Sequence, residues 1–155
     1  MSLETVSKFF AERAPDLTVI ETAESSATVS LAAAAHNVAP EQIAKTICLR
    51  VGEKVLLVVM SGTARLDNRK ARDVFGGKPR MLEAADVVAL TGHPVGGVCP
   101  FGLATQMDIF CDISLRQFEE VVPAAGAINA AVRIAPYRMA ELVQATWADV
   151  CQSAP

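Results

Sequence analysis

Apolar residues recur along this chain with two different periods. Leu3, Val6, Phe9 and Phe10 fall at helical spacing and Pro15 closes the stretch, which predicts an N-terminal helix. Residues 17–20 read as a short strand. Thr28 stands where a helix cap is needed, ahead of an alanine-rich run that reaches His36, with Asn37 as a left-handed stop. Pro40 suits the first turn of another short helix. Two apolar stretches, 46–51 and 54–60, flank Gly52-Glu53 and predict a β-hairpin. Asp67 caps a further helix that ends at Gly76-Gly77, and 82–90 has the pattern of an amphipathic helix stopped by Gly92. Beyond a glycine-rich loop, 107–111 predicts a strand and Ser114 caps one helical turn. Residues 121–124 and 130–134 predict a strand pair around Gly126, and a last helix begins near Tyr137. Helices interleaved with strands, with hairpins among them, predict one domain over 1–155 of mixed α/β (α+β) class.

Composition narrows this picture. The chain has 155 residues, 52% hydrophobic and 20% charged, enough for one core without staples. Its longest apolar run, 55–60, has strand length and falls far short of the roughly 18 residues of a membrane span. The opening Ser2-Leu3-Glu4-Thr5 lacks the basic-then-apolar order of a signal peptide. The expectation is a soluble, cytoplasmic protein with no membrane partner. Cys48, Cys99, Cys111 and Cys151 form no CxxC pair, and only His36 and His93 accompany them. That set predicts reduced thiols, with no metal site and no cofactor.

Charge is uneven. The net charge of −3 argues against holding long nucleic acid, DNA included, by charge alone. Residues 65–80 nevertheless carry Arg65, Arg69, Lys70, Arg72, Lys78 and Arg80 against Asp67 and Asp73. This run is either a solvated helix face or a local patch for a phosphate backbone.

Two places carry candidate chemistry. Between Gly92 and Gly102 lie Gly92, Gly96, Gly97 and Gly102 together with Pro94 and Pro100. Glycine admits positive φ and close approach, while proline fixes the chain, so the loop is rigid and poor in side chains. Its amides can hold an oxyanion, a carbonyl or a water; equally, it can be a tight helix-to-strand connection. Neither the GxxxxGK[ST] nor the GxGxxG spacing is present. The second place is Lys45, read as an exposed cation at the mouth of the strand 46–51, where it either meets a phosphate or carboxylate or snorkels into solvent.

The segment 38–47, a helical turn leading to Lys45-Thr46, and the loop 96–102 with its GxxxP spacing stand in the order found in a known family. The chain resembles the YbaK/ProX-type aminoacyl-tRNA editing deacylases, which are similar to the editing domain inserted in bacterial prolyl-tRNA synthetases. Ser61-Gly62, Asp112 and Ala125-Gly126 add to the likeness. The resemblance implies a closed, barrel-like or strongly curved mixed sheet surrounded by helices. It implies trans-editing: hydrolysis of the ester of mischarged aminoacyl-tRNA, with tRNA-Pro carrying Ala, Ser or Cys as the expected substrate. The partner is then the 3′ acceptor end, delivered by a synthetase or an elongation factor. Lys45 would anchor that end, and the backbone of Gly96, Gly97, Val98, Cys99 and Pro100 would hold the carbonyl or the water. Thr46, His93, Phe101, Gly102 and Asn129 would contact substrate. Cys99 stands where the family loop usually has serine, which opens two alternatives: a cysteine-dependent hydrolase using Cys99 with His93, or a non-catalytic tRNA- or nucleotide-binding relative.

Overall fold

The computed structural model describes residues 2–153. In chain order the elements are α1 (Ser2–Arg13), β1 (Ile20–Glu21), α2 (Val29–His36), β2 (Ile43–Val51), β3 (Lys54–Ser61), α3 (Asn68–Phe75), β4 (Arg80–Met81), α4 (Ala84–Thr91), β5 (Asp108–Asp112), β6 (Val122–Pro123), β7 (Ala130–Ala131), α5 (Pro136–Leu142) and β8 (Thr146–Ala148). Tight 3₁₀ turns at Pro40–Gln42 and Ile113–Gln117 lead into β2 and out of β5.

Local chemistry sets the helix ends. The Thr28 hydroxyl accepts from the Leu31 N–H, and Asn37 closes α2 at φ 55°. The Asp67 carboxylate accepts from the Arg69 and Lys70 amides, and Gly76 ends α3 in the left-handed region. One cap differs from expectation. Asp112, not Ser114, caps the turn after β5, because its buried carboxylate accepts from the Ser114 amide (2.8 Å) and the Val150 amide (2.9 Å). The Ser114 hydroxyl is occupied elsewhere, by the Ser61 amide.

The β2–β3 hairpin is the spine of the sheet, with antiparallel register from Ala44↔Ser61 to Val51↔Lys54. β5 adds parallel to β3, and β8 parallel to β5. On the other side β4 pairs antiparallel with β2, giving the order β4-β2-β3-β5-β8, while β6 pairs parallel with the start of β2. β1 and β7 make a separate two-stranded sheet. The sheet is mixed, as expected, but it is not a closed barrel. β4 pairs only with β2 and β8 only with β5, so among the described residues no ladder joins the two ends. The segments around Gly126 touch through the bridges Val121↔Ile134 and Ala124↔Ala131, yet their ladders run outward, β6 to β2 and β7 to β1.

Alternation along β2 divides the interior. Ala44 and Cys48, with Leu57 and Val59 of β3, face the main core, where Phe10, Phe101 and Met139 are buried. Leu49 and Val51, with Leu56, Val58 and Met60, face a second core closed by Ala71 and Phe75 of α3 and by Val150 and Cys151. All four cysteines are free and buried. No described helix is long and apolar enough to cross a membrane.

Candidate active site

The site begins with an interruption in the sheet. One edge of β2 is paired with β3 throughout, but on the other edge β6 covers only Ile43 and Ala44, and β4 only Leu49 and Arg50. Residues 45–48 are left with an open edge. The turn register tells which groups face it. Gly52 takes φ 61°, as the first central residue of a two-residue II′ turn requires, so the flanking Val51 and Lys54 are a hydrogen-bonded pair. Counting back by twos, Lys45 and Ile47 direct their backbone groups at β3, whereas Thr46 and Cys48 direct theirs at the gap. The Leu82 N–H donating to the Cys48 carbonyl (3.5 Å) agrees with this.

A cavity of about 350 Å³ occupies the gap. Lys45, Thr46 and Cys48 form one wall, Ala32 of α2 and its cap Thr28 a second, and Gly96 and Val98 of the loop a third. Leu82 and Val87 close the end. The lining is mostly apolar with a few polar groups, the usual composition of a small-molecule site. One of those groups is unsatisfied: the Thr46 hydroxyl is buried and has no partner among the described residues. A buried hydroxyl left without a bond is costly, and a ligand group that supplies the bond recovers that cost.

Lys45 lies inside β2 rather than at its mouth, because the strand begins at Ile43. It is half-buried, not exposed as expected, and its ammonium donates to the Ala64 carbonyl at 2.6 Å. Burial holds its pKa below the usual lysine range, and the Arg65 charge pushes the same way. Its side chain leaves β2 on the face opposite Thr46, toward Ala64, while the residue itself borders the cavity at the open edge.

The loop that follows α4 is fixed by close backbone packing. Gly96 has φ 90°, and a Cβ there would meet the Ala27 Cβ at 2.7 Å. A Cβ on Gly97 would meet the Ala127 nitrogen at 2.7 Å. The Gly97 N–H donates to Pro94 and its carbonyl accepts from Gly126 (3.1 Å). Among the described residues no backbone hydrogen bond uses the N–H of Gly96 or Val98, the two loop residues on the cavity wall. Donors of this kind suit a carbonyl or an oxyanion.

The rest of the loop faces elsewhere. Gly92 caps α4, as expected, at φ 78°. His93 is fully buried beneath the loop. Its Nε2 lies 2.8 Å from the Phe101 carbonyl, which can only accept, so Nε2 carries the proton and Nδ1 accepts from the Ser2 hydroxyl at 2.5 Å. Burial pulls its pKa below the ordinary histidine value, against the Phe101 bond. Cys99 Sγ sits 3.5 Å from the same Nε2, so the imidazole turns an N–H toward the sulfur instead of a lone pair. Burial pushes the Cys99 thiol up to about 12. Phe101 packs into the core against Phe10, ring centres 4.6 Å apart. Pro100 and Gly102 line a different cavity, beside Phe9 and Arg13. Asn129 spans to Thr22, donating from Nδ2 to its carbonyl and accepting its N–H. The structure therefore gathers Lys45, Thr46, Gly96 and Val98 on one cavity. Gly97 sits behind that wall, and His93, Cys99, Pro100, Phe101, Gly102 and Asn129 lie away from it. Sequence reasoning missed Thr28, Ala32, Leu82 and Val87 as walls; only Thr28 carried a local signal, and it read as a cap.

The family profile described as the aminoacyl-tRNA editing domain matches residues 23–142. The chain belongs to the aminoacyl-tRNA editing family. Lys45, Thr46 and the loop all fall within the matched editing region; α1, which braces the loop from behind through Ser2 and Phe10, precedes it. Among editing-family relatives, the uncharacterized protein YwhH of Bacillus subtilis is 43% identical over 156 residues, covering 98% of each chain. EbsC of Enterococcus faecalis, named as a candidate Cys-tRNA(Pro)/Cys-tRNA(Cys) deacylase, is 28% identical over 112 residues, 70% of this chain and 68% of that protein. A crystal structure of a candidate trans-editing enzyme for prolyl-tRNA synthetase superposes with a TM-score of 0.90 at 31% identity, covering 98% of both chains.

Proposed function

We propose that this chain is a trans-editing deacylase that hydrolyses the ester of mischarged aminoacyl-tRNA. The observation that carries the reading is the meeting, on one cavity of an editing-family chain, of Lys45, the unsatisfied Thr46 hydroxyl and the loop amides of Gly96 and Val98. Water adds to the ester carbonyl carbon, and the oxygen that gains charge is met by the loop amides. The terminal ribose hydroxyl then leaves with a proton, yielding free amino acid and tRNA. An aminoacyl ester is already reactive, so fixed dipoles and positioning supply the acceleration without a side-chain nucleophile. Walls of alanine, valine and glycine suit a small amino acid, and alanine, serine or cysteine on tRNA-Pro are the proposed substrates. The reading implies work in the cytoplasm on the 3′ acceptor end, with a synthetase or elongation factor delivering it.

The thiol alternative is disfavoured by the buried, protonated Cys99 and the orientation of His93. The test is a deacylation panel over mischarged tRNAs with Lys45→Ala as control, its folding checked by thermal melting. Hydrolysis of the small aminoacyl esters is expected, with a fall of about 100-fold in Lys45→Ala, the scale of losing one fixed charge-stabilising donor. Unchanged turnover in that variant removes Lys45 from the mechanism. A chain that binds tRNA but cleaves nothing on the panel is a binding module.

A further inference from the structure

The short strand β4 brings two like charges together. Arg50 of β2 and Arg80 of β4 are direct register partners, so their side chains stand on the same face of the sheet, side by side. Both are exposed. Like charges directly opposite each other oppose strand pairing. Carboxylates are close in sequence, Glu53 in the hairpin turn and Glu83 after β4, yet among the described residues neither arginine makes an ion pair or a side-chain hydrogen bond. The fold thus keeps an uncompensated guanidinium pair.

Its location is informative. By alternation, Arg50 shares the face of Thr46 and Cys48, both on the cavity wall. Two residues of strand separate Arg50 from Cys48, about 7 Å. The Arg50 charge is felt at the Cys48 thiol, where it works against the rise that burial causes. On the far side of Arg80, Met81 and Leu82 continue directly into the cavity lining. The pair therefore sits on the approach to the cavity. The basic residues of α3 do not join it. α3 packs on the opposite face through Ala71, and Lys70 is already engaged by Asp149 and the Cys151 carbonyl.

We propose that Arg50 and Arg80 form a phosphate clamp, gripping the sugar–phosphate backbone of a single-stranded RNA end whose terminal ester occupies the cavity. Two planar guanidiniums side by side offer paired donors to phosphate oxygens, and the anion removes their mutual repulsion. The proposal rests on the deacylase reading for the identity of the RNA, but not for the existence of the clamp.

The experiment measures binding of uncharged tRNA by fluorescence anisotropy over a sodium chloride series, for the intact chain, for Arg50→Gln/Arg80→Gln, and for Arg69→Gln/Arg72→Gln on the opposite face. The clamp variant is expected to bind at least 10-fold more weakly at low salt. Its log–log salt slope should be shallower by about 0.7 for each phosphate released. The α3 variant should match the intact chain. Thermal melting separates this from misfolding, since removing like charges should leave the midpoint of the clamp variant equal or higher. An equal affinity and slope in the clamp variant overturns the proposal, as does a larger loss in the α3 variant. If the clamp effect is present but no mischarged tRNA is cleaved by the intact chain, the deacylase reading falls and the clamp stands. If cleavage is present and the clamp effect absent, the clamp alone falls.

Discussion

Replacing Gly97 by alanine tests whether the loop is held by backbone contact. The new Cβ would lie 2.7 Å from the Ala127 nitrogen and 3.0 Å from its Cα and carbonyl carbon. All three are main-chain atoms, so no side chain can swing away. Ordinary contact begins near 3.4 Å, which requires the two segments to part by about 0.7 Å. The Gly126 N–H to Gly97 carbonyl bond, 3.1 Å long, spans the same interface and would stretch beyond hydrogen-bond length. Gly97 has no positive φ, so the cost is crowding alone. Overpacking of this kind costs about 1–3 kcal/mol, and the lost bond adds about 1 kcal/mol. At roughly 2–4 °C per kcal/mol for a domain of this size, a total of about 2–4 kcal/mol should lower the midpoint by about 4–16 °C. Gly96 and Val98 move with Gly97, and a misplacement near 1 Å costs on the order of 100-fold in rate. Deacylation assayed well below the new midpoint should therefore drop by tens-fold. Gly77→Ala is the control, because its Cβ meets only the Val51 side chain, at 3.1 Å. A Gly97→Ala variant that melts within about 2 °C of the parent and cleaves at the parental rate would refute the reasoning.

Two further outcomes follow from the buried groups behind the loop. Cys99→Ser should keep deacylation within a few-fold of the parent, since the thiol is buried, protonated and off the cavity; abolished activity in a folded variant would restore the thiol mechanism. Burial lowers the pKa of both His93 and His36 below 6.5. Below pH 6.5 the unfolded chain binds more protons than the native one, so stability falls as pH drops from 6.5 toward 5 and is flat in this respect above it. Each histidine contributes at most about 1.4 kcal/mol per pH unit. Urea melts of His93→Gln should lose one histidine's share of that slope, and an unchanged slope would mean His93 titrates normally.

The parts of the fold governed by neighbours in sequence were legible. Thr28, Asn37, Asp67, Gly76 and Gly92 act as caps because capping needs only a short side chain or a left-handed residue at a fixed offset. The hairpin at Gly52-Glu53 is of the same kind. β4 and β8 escaped notice because two or three residues carry no period, and each is a strand only by virtue of the partner it meets. Lys45 was misplaced for a related reason: β3 pairs with Ala44 and Lys45, and β6 with Ile43 and Ala44, so β2 begins ahead of the lysine. The rigidity of the loop could be read from its glycines and prolines, but not which of its residues face the cavity. That is decided by Ala27 and Ala127 pressing on one side and by Phe10 receiving Phe101 on the other, contacts across most of the chain.

The open edge of β2 has a consequence for how such a site can change over time. The donors and acceptors that face the gap belong to the main chain of Thr46 and Cys48, and those of the loop to Gly96 and Val98. Substitution of the surrounding side chains reshapes the walls of the cavity, while every main-chain group stays where the register puts it. Under the proposed deacylase reading, the main-chain share of reactivity and the choice of amino acid are then inherited from different atoms, and the second can drift without the first being lost. The gap is also only four residues long and bounded by paired strand at both ends. That length limits how much strand another molecule could add there, and paired strand at both ends blocks its extension.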